Sequence, residues 1–482
     1  MDKGNETQVP IETEFVNLNI SDKDSSSVNI SNKNCSYCNK PFIEELWCKE
    51  CDPRRMIEGW TSGNNDIDKF IKDTIYDGRE YTYDKILEWV PFDRFKDVEQ
   101  IGIGGFAKVY SATWIDGKAE YDKQYDGSWK KNKPKPIKVA LKRLNGSGNM
   151  SAEYLNELKI NWNYCKTNII ALKFYGMTKD PETEELMMIL EFADRGTMRS
   201  VLSHNFNNIL WKDKIYYLLW IAYGLEELHK LGYSHKDFHS GNILQIAIPN
   251  KDYHYSYISD FGLSGSSTKQ KSDNQICGVM PYIAPEVLNG EPYTLSSDIY
   301  SFGIIMAELS SGKPPFYKRK HDTTLALEIC NGLRPEFGKG TPEIYKKLAY
   351  KCMNANSNQR PTASELNDII QFWKTSIYNN NEHQEEEKFG YKGNEIKAMF
   401  EEADKEIPNT STSYEINPEA IYTSRVFKFS NLTKPVNSSI ITSYLDEENN
   451  EDCKVSKLFD LEVSSSLQLK DDISNKDDVD YE

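Results

Sequence analysis

Ile101-Gly102-Ile103-Gly104-Gly105-Phe106-Ala107-Lys108-Val109 sets three glycines between two strand-like apolar segments. Glycine lets a backbone come close to a phosphate and turn its N–H groups onto the oxygens. A tight hairpin asks for glycine too, so the loop alone admits both readings. A dinucleotide fingerprint would need a helix next, but Val109 to Trp114 reads as strand, and no Gly-Lys-Ser/Thr follows to make a P-loop. Val139-Ala140-Leu141-Lys142 then ends an apolar strand on a lysine, ordinarily a solvated edge residue. Here Glu157 follows in a helical stretch and could hold the ammonium where nucleotide phosphates sit. Further on come His235-Lys236-Asp237-Phe238-His239-Ser240-Gly241-Asn242, Ile258-Ser259-Asp260-Phe261-Gly262 and Ala284-Pro285-Glu286. Asp237 can orient an attacking hydroxyl or accept its proton. Asn242 and Asp260 carry the hard oxygens that Mg²⁺ prefers. Any one of these peptides could arise by chance; five in this order could hardly do so.

Positioning such groups needs a scaffold, and the hydrophobic pattern supplies one. Short strand-like runs come first, at 98–101, 109–114, 138–144 and 186–191. Longer helical patterns follow, from Trp211 to Leu231 ahead of Gly232, and from Asp298 to Ser310 ahead of Gly312. Strands first and helices after predict an α+β protein of two lobes. Within the strand region, 117–138 reads as an insertion with seven lysines and three acids, either a solvated hairpin or a dock for an acidic partner. The composition divides the chain into a disordered 1–33, a cysteine-bearing 34–53, a helical linker 54–92, a packed core 93–373 and an acidic, mostly disordered 374–482.

From about Phe95 to Trp373 the chain resembles a eukaryotic protein kinase domain. The resemblance implies a β-rich small lobe and an α-helical large lobe, with ATP and Mg²⁺ between them. It implies an ATP site built from Ile101, Gly102, Gly104, Gly105, Val109, Ala140, Lys142, Glu157, Glu191 and Ala193, with Glu191-Phe192-Ala193 as the adenine-binding hinge and Leu190 behind the pocket. Asp237, Lys142 and Asn242 would be catalytic, and Asn242 and Asp260 would hold Mg²⁺. Gly278 to Glu286 would form the peptide-binding end of the activation segment, while Asp298 and a Glu286–Arg360 ion pair would anchor the large lobe. Several positions depart from the pattern. Ala107 stands where the family has its third glycine, and Lys236 where it has an arginine able to grip a phosphorylated activation segment bidentately. His239 stands two residues past Asp237, where Ser/Thr kinases carry lysine, and Val279 replaces their threonine. The Ala-Ala-Arg and Arg-Ala-Ala catalytic loops of tyrosine kinases are absent. The sequence is most similar to the tyrosine-kinase-like branch, whose members mostly phosphorylate serine and threonine of protein substrates. A tyrosine or dual-specificity kinase, or a pseudokinase scaffold, is the alternative.

Cys35, Cys38, Cys48 and Cys51 form two CxxC pairs nine residues apart. Four thiolates so spaced suit a structural Zn²⁺ ribbon that would bind a partner; stray cysteines in a disordered arm, or a redox pair, would look the same. Nine cysteines in all, with no apolar segment near Met1, predict a reducing, cytoplasmic setting. Net charge is −16, and the tail from 376 onward, with 24 acidic against 11 basic residues, carries −13 of it. That balance excludes a general nucleic-acid binder, and the charges in the most apolar stretch, 215–231, exclude a membrane span there. Two islands in the tail, 421–432 and 455–469, each gather aliphatics and a phenylalanine. They are either scattered apolar residues or segments that dock.

Overall fold

Along Ile137–Leu144, alternation turns Val139 and Leu141 to one face and Ala140 and Lys142 to the other. Val139 and Leu141 are fully buried with Phe95, Trp114, Met187 and Ile189, which leaves Ala140 and Lys142 on the opposite face of the sheet. The small lobe follows from this division. A computed structural model describes residues 60–77, 86–104, 107–118, 121–123, 129–131, 135–144, 152–168, 171–248, 254–266, 276–378, 387–409, 413–429 and 432–446. Cys35, Cys38, Cys48, Cys51, the 1–33 arm and the 455–469 island lie outside the described residues.

Helix α1 (Asn65–Asp77) starts on Asn64, whose side-chain oxygen accepts the N–H groups of Asp66 and Ile67. Ile67, Phe70, Ile71, Thr74 and Ile75 are its buried residues. The strands β1 (Glu88–Trp89), β2 (Phe95–Ile103), β3 (Ala107–Trp114) and β4 (Ile137–Leu144) come next. Helix α2 (Ala152–Thr167) then precedes β5 (Phe174–Lys179) and β6 (Leu186–Glu191). The six strands form one sheet in the order β1-β5-β6-β4-β3-β2. Only β1 runs parallel to its neighbour, β5. The stretch 54–92 is thus not simply a helical linker: Glu88 and Trp89 extend the sheet, and Ile86, Leu87 and Val90 are buried beside them. The insertion holds two short strands, Tyr121–Lys123 and Trp129–Lys131.

The large lobe is helical, as the pattern predicts. It comprises α3 (Met198–Asn205), α4 (Trp211–Lys230), short strands β7 (Tyr233–Ser234), β8 (Ile243–Ala247), β9 (His254–Ile258), β10 (Gly265–Ser266) and β11 (Ile276–Gly278), then α5 (Pro285–Leu288), α6 (Leu295–Ser311), α7 (Thr323–Cys330), α8 (Glu343–Cys352) and α9 (Ala363–Tyr378). Helix α6 is buried on nearly every side and runs through the core, with Ile299, Phe302, Ile304, Ile305 and Leu309 among its buried residues. It stops at Gly312, which takes a left-handed φ of 70° against the Phe206 ring, where a Cβ would come within 2.5 Å.

Beyond Trp373 the structure departs from the expected disorder. Helix α9 continues to Tyr378, and α10 (Gly393–Asp404) packs against α4 and α9. Tyr391, Ile396, Phe400, Ala403 and Ile407 join the large-lobe core, with the Phe400 ring centre 5.7 Å from those of Trp211 and Trp373. Asp404 accepts the Trp211 N–H at 2.7 Å and so caps α4. A strand β12 (Arg425–Phe427) follows, and α11 (Ser439–Asp446) lies on α8, where Tyr444 donates to Glu343. The acidic net charge hid a sparse set of apolar residues, spaced to bury one side of α10 against the aromatic residues of α4 and α9.

Candidate active site

The face of β4 opposite the small-lobe core presents Lys142, and α2 presents Glu157 to it. Lys142 Nζ lies 2.6 Å from Glu157 Oε1 and 2.7 Å from Asp260 Oδ1. Burial works against the charge on Lys142, but Asp260 and Glu157 more than offset it, and its pKa stands above that of a free lysine. Burial also penalises the Asp260 carboxylate, yet Lys142 beside it holds its pKa below the usual range. Glu157 goes the other way: burial raises it, and the nearby charge of Asp260 adds to the rise despite Lys142. Close approach is possible because Gly262 has no side chain, where a Cβ would come within 3.2 Å of Glu157 Oε2.

The segment 235–242 is held from below. Asp298, on α6, accepts the backbone N–H groups of His235 at 2.8 Å and Lys236 at 3.1 Å, and its Oδ2 also lies 3.0 Å from His229 Nε2. His235 Nε2 reaches the Ser259 carbonyl at 3.0 Å, tying this loop to the one that bears Asp260. Lys236 and Asp260 both adopt positive φ, 69° and 67°, sparsely populated for residues with a Cβ. Such strain persists where surrounding contacts over-determine it. Asn242 Nδ2 donates to the Asp237 carbonyl at 3.0 Å and reaches its Oδ2 at 3.4 Å. The amide nitrogen is therefore committed, and the oxygen of Asn242 is the end that can serve a cation. His239 Nδ1 accepts the Gly241 N–H at 3.0 Å, so its proton belongs on Nε2, which faces Asp237 Oδ1 at 3.6 Å. Burial pushes the Asp237 pKa up, but His239 and the hydrogen bonds to the carboxylate outweigh it and leave it below the usual range.

Of the glycine loop, Ile101 is exposed, and Gly102 stands opposite Val109 in the β2–β3 register. Gly104 donates to the Ala107 carbonyl at 2.7 Å, which closes the turn. Gly105 lies outside the described residues. Leu190 pairs with Ala140 and Glu191 with Val139 across β6 and β4, so the end of β6 lies beside the strand that carries Lys142. Glu191 is fixed there by Lys173, which exchanges two hydrogen bonds with it. Glu286 and Arg360 form a buried bidentate pair, 2.7 Å on each arm. Arg360 also donates to the carbonyls of Ser296 and Asn354.

Two groups of site residues escaped the sequence reading. Arg199, Ser240, Tyr282 and Glu308 form a buried polar network behind the Asp237 loop: Ser240 and Tyr282 donate to the two Glu308 oxygens at 2.9 and 2.6 Å, and Arg199 reaches Ser240 and Tyr282. No motif joins residues so far apart in the chain. The second is Ser424, whose Oγ donates to Asp237 Oδ2 at 2.5 Å. Its one sequence signal is its place in the 421–432 island, and that island docks over 421–429.

A family model described as "protein tyrosine and serine/threonine kinase" matches residues 95–370. Three Dictyostelium discoideum proteins, each named a "probable serine/threonine-protein kinase", are 30% identical to this chain. One matches over 274 residues, 56% of this chain and 15% of its own length. The one called pats1 matches over 287 residues, 58% and 8%, and the one called mkcD over 293 residues, 59% and 41%. The chain therefore spans less than half the length of each.

Proposed function

The chain belongs to the protein tyrosine and serine/threonine kinase family, and we propose that it transfers the γ-phosphoryl group of MgATP to hydroxyls of protein substrates, serine and threonine before tyrosine. The observation that carries this reading is the Lys142 ammonium held between Glu157 and Asp260, beside a loop in which Asp298 fixes His235 and Lys236 and Asn242 holds Asp237. Lys142 would bind the α- and β-phosphates, positioned by Glu157. Ile101, Gly102, Gly104, Gly105, Val109 and Ala140 would enclose the nucleotide, with Glu191 and Ala193 at the adenine edge. Asp260, kept ionised by Lys142, and the amide oxygen of Asn242 make a donor set of hard oxygens that fits Mg²⁺. When bound, that ion supplies charge neutralisation for the transferred phosphoryl group. Asp237 would orient the acceptor hydroxyl and take its proton, with the His239 ring 3.6 Å from its other oxygen. The names of the relatives favour serine and threonine. A scaffold without turnover has no need of all of Lys142, Glu157, Asp237, Asn242 and Asp260.

Cys35, Cys38, Cys48 and Cys51 would bind one structural Zn²⁺ and fold a small module for a partner. Among the described residues no helix is long and apolar enough to cross a membrane. The cysteine usage supports a cytoplasmic site of action. The test is ATP-dependent labelling of a generic protein substrate with phosphoamino-acid analysis. Label on serine and threonine is expected, and Asp237→Asn should abolish it while sparing nucleotide binding. Wild-type turnover by Asp237→Asn overturns the mechanism, and label on tyrosine alone overturns the specificity.

A further inference from the structure

Residues 413–429 lie along the large lobe on contacts that recur at short intervals. Asn417 N–H donates to the Tyr317 carbonyl at 2.9 Å, and the His321 N–H to the Glu419 carbonyl at 3.1 Å. Tyr422 Oη donates to the Pro315 carbonyl at 2.8 Å, while the Tyr422 carbonyl accepts from Arg199 at 3.0 Å. Arg425 donates to the His321 carbonyl at 2.7 Å. Strand β12 then pairs antiparallel with β11, with Gly278 opposite Arg425, Cys277 opposite Val426 and Ile276 opposite Phe427. Phe427 is buried and stacks on Phe429. An extended segment that adds a strand to a sheet edge and drops alternate side chains into fixed contacts is bound as a peptide ligand is bound.

The register brings Ser424 to Asp237. Gly278 has a φ of 139°, and its backbone passes so near Asp237 that a Cβ there would sit 3.4 Å from Oδ1. The residue preceding its strand partner Arg425 is therefore delivered to the same carboxylate, and Ser424 Oγ donates to Oδ2. An inert plug would need no hydroxyl at this position. We infer that Ser424 is a phosphorylation site for this chain's own kinase activity, modified within the same molecule, with Tyr422–Phe427 bound as the protein substrate.

The inference rests on the proposed role of Asp237. In the step, a bond forms between Ser424 Oγ and the γ-phosphorus of MgATP, and the bond from that phosphorus to the β,γ-bridging oxygen breaks. The Oγ proton passes to Asp237 Oδ2 and then to solvent, and ADP leaves with the electron pair of the broken bond. The product places a phosphate dianion beside the Asp237 carboxylate, and like charges there favour release of the strand. The groove along β11 is then free for other substrates, so activity on added protein should show a lag that ends as Ser424 is modified.

The experiment uses the full chain, stripped by phosphatase, incubated with MgATP and a generic protein substrate over a range of enzyme concentrations. Sites are mapped by mass spectrometry over time. Phosphate should appear on Ser424 with a first-order rate independent of enzyme concentration, and Ser424→Ala should lose that site. Phe427→Asp replaces a buried ring with a carboxylate, so it should cut Ser424 labelling by on the order of tenfold or more and shorten the lag. An isotope-labelled Asp237→Asn chain mixed with wild type should stay unmodified at Ser424. Labelling of the added substrate without Ser424 overturns the inference and leaves the kinase reading intact. Modification of the Asp237→Asn chain as fast as wild type overturns the intramolecular step. Loss of all turnover overturns the kinase reading, and the inference with it.

Discussion

Helix α10 is the part of the tail whose contribution can be weighed. Phe400 is 1% exposed, with its ring between Trp211 of α4 and Trp373 of α9, and Tyr345 completes the cluster. Phe400→Ala removes a whole ring from a site closed on several sides by rigid aromatics. Little collapse can fill that space, so the cost should reach the usual range for this change, about 3–5 kcal/mol. In a domain of this size each kcal/mol moves Tm by roughly 2 °C, so a fall of about 6–10 °C is expected. Urea titration of the full chain, followed by tryptophan fluorescence, reads the same quantity as a lower midpoint. Trp211 and Trp373 flank the deletion and report any earlier, local release of α10. A change under about 1 kcal/mol, by either route, would refute the packing of α10 and restore a domain boundary at Trp373.

Lys214 is buried between the Phe206 and Trp211 rings, and burial pushes its pKa down to about 7. The unfolded amine titrates near 10.4, so between about pH 7 and 10 the unfolded state binds more protons and stability rises with pH. Lys214→Met should therefore stabilise the fold most at or below pH 7, with the gain shrinking towards pH 10; melting curves across that range check the sign. Glu286→Ala strands the Arg360 guanidinium in the interior and should cost about 3–5 kcal/mol in denaturant titration. Glu157→Gln leaves Lys142 paired with Asp260 alone, and the displaced ammonium should lower kcat/KM for ATP by about 10²-fold with little loss of stability. The full chain should carry about one Zn²⁺ by elemental analysis, lost on joint Cys35→Ser and Cys48→Ser substitution.

The candidate constellation was legible because each part is local. The Asp237–Asn242 spacing, the Asp260 loop and the alternation that turns Lys142 away from the small-lobe core all arise within a few residues of chain. Strands before helices predicted the two-lobed α+β architecture for the same reason: periodicity is a property of short windows. The tail was misjudged because averaged charge and composition describe how a chain meets water, not what it meets in the fold. Phe400 is one aromatic residue in an acidic helix until Trp211 and Trp373 stand on either side of it. The ties that matter most there span long separations, such as Ser424 to Asp237 across 187 residues. Sequence alone determined which groups could move a phosphoryl group and what strand and helix pattern would carry them. Only the tertiary structure decided that the tail strand lies on β11 with a serine hydroxyl against Asp237, because that depends on a pairing register between distant segments, which no local pattern encodes.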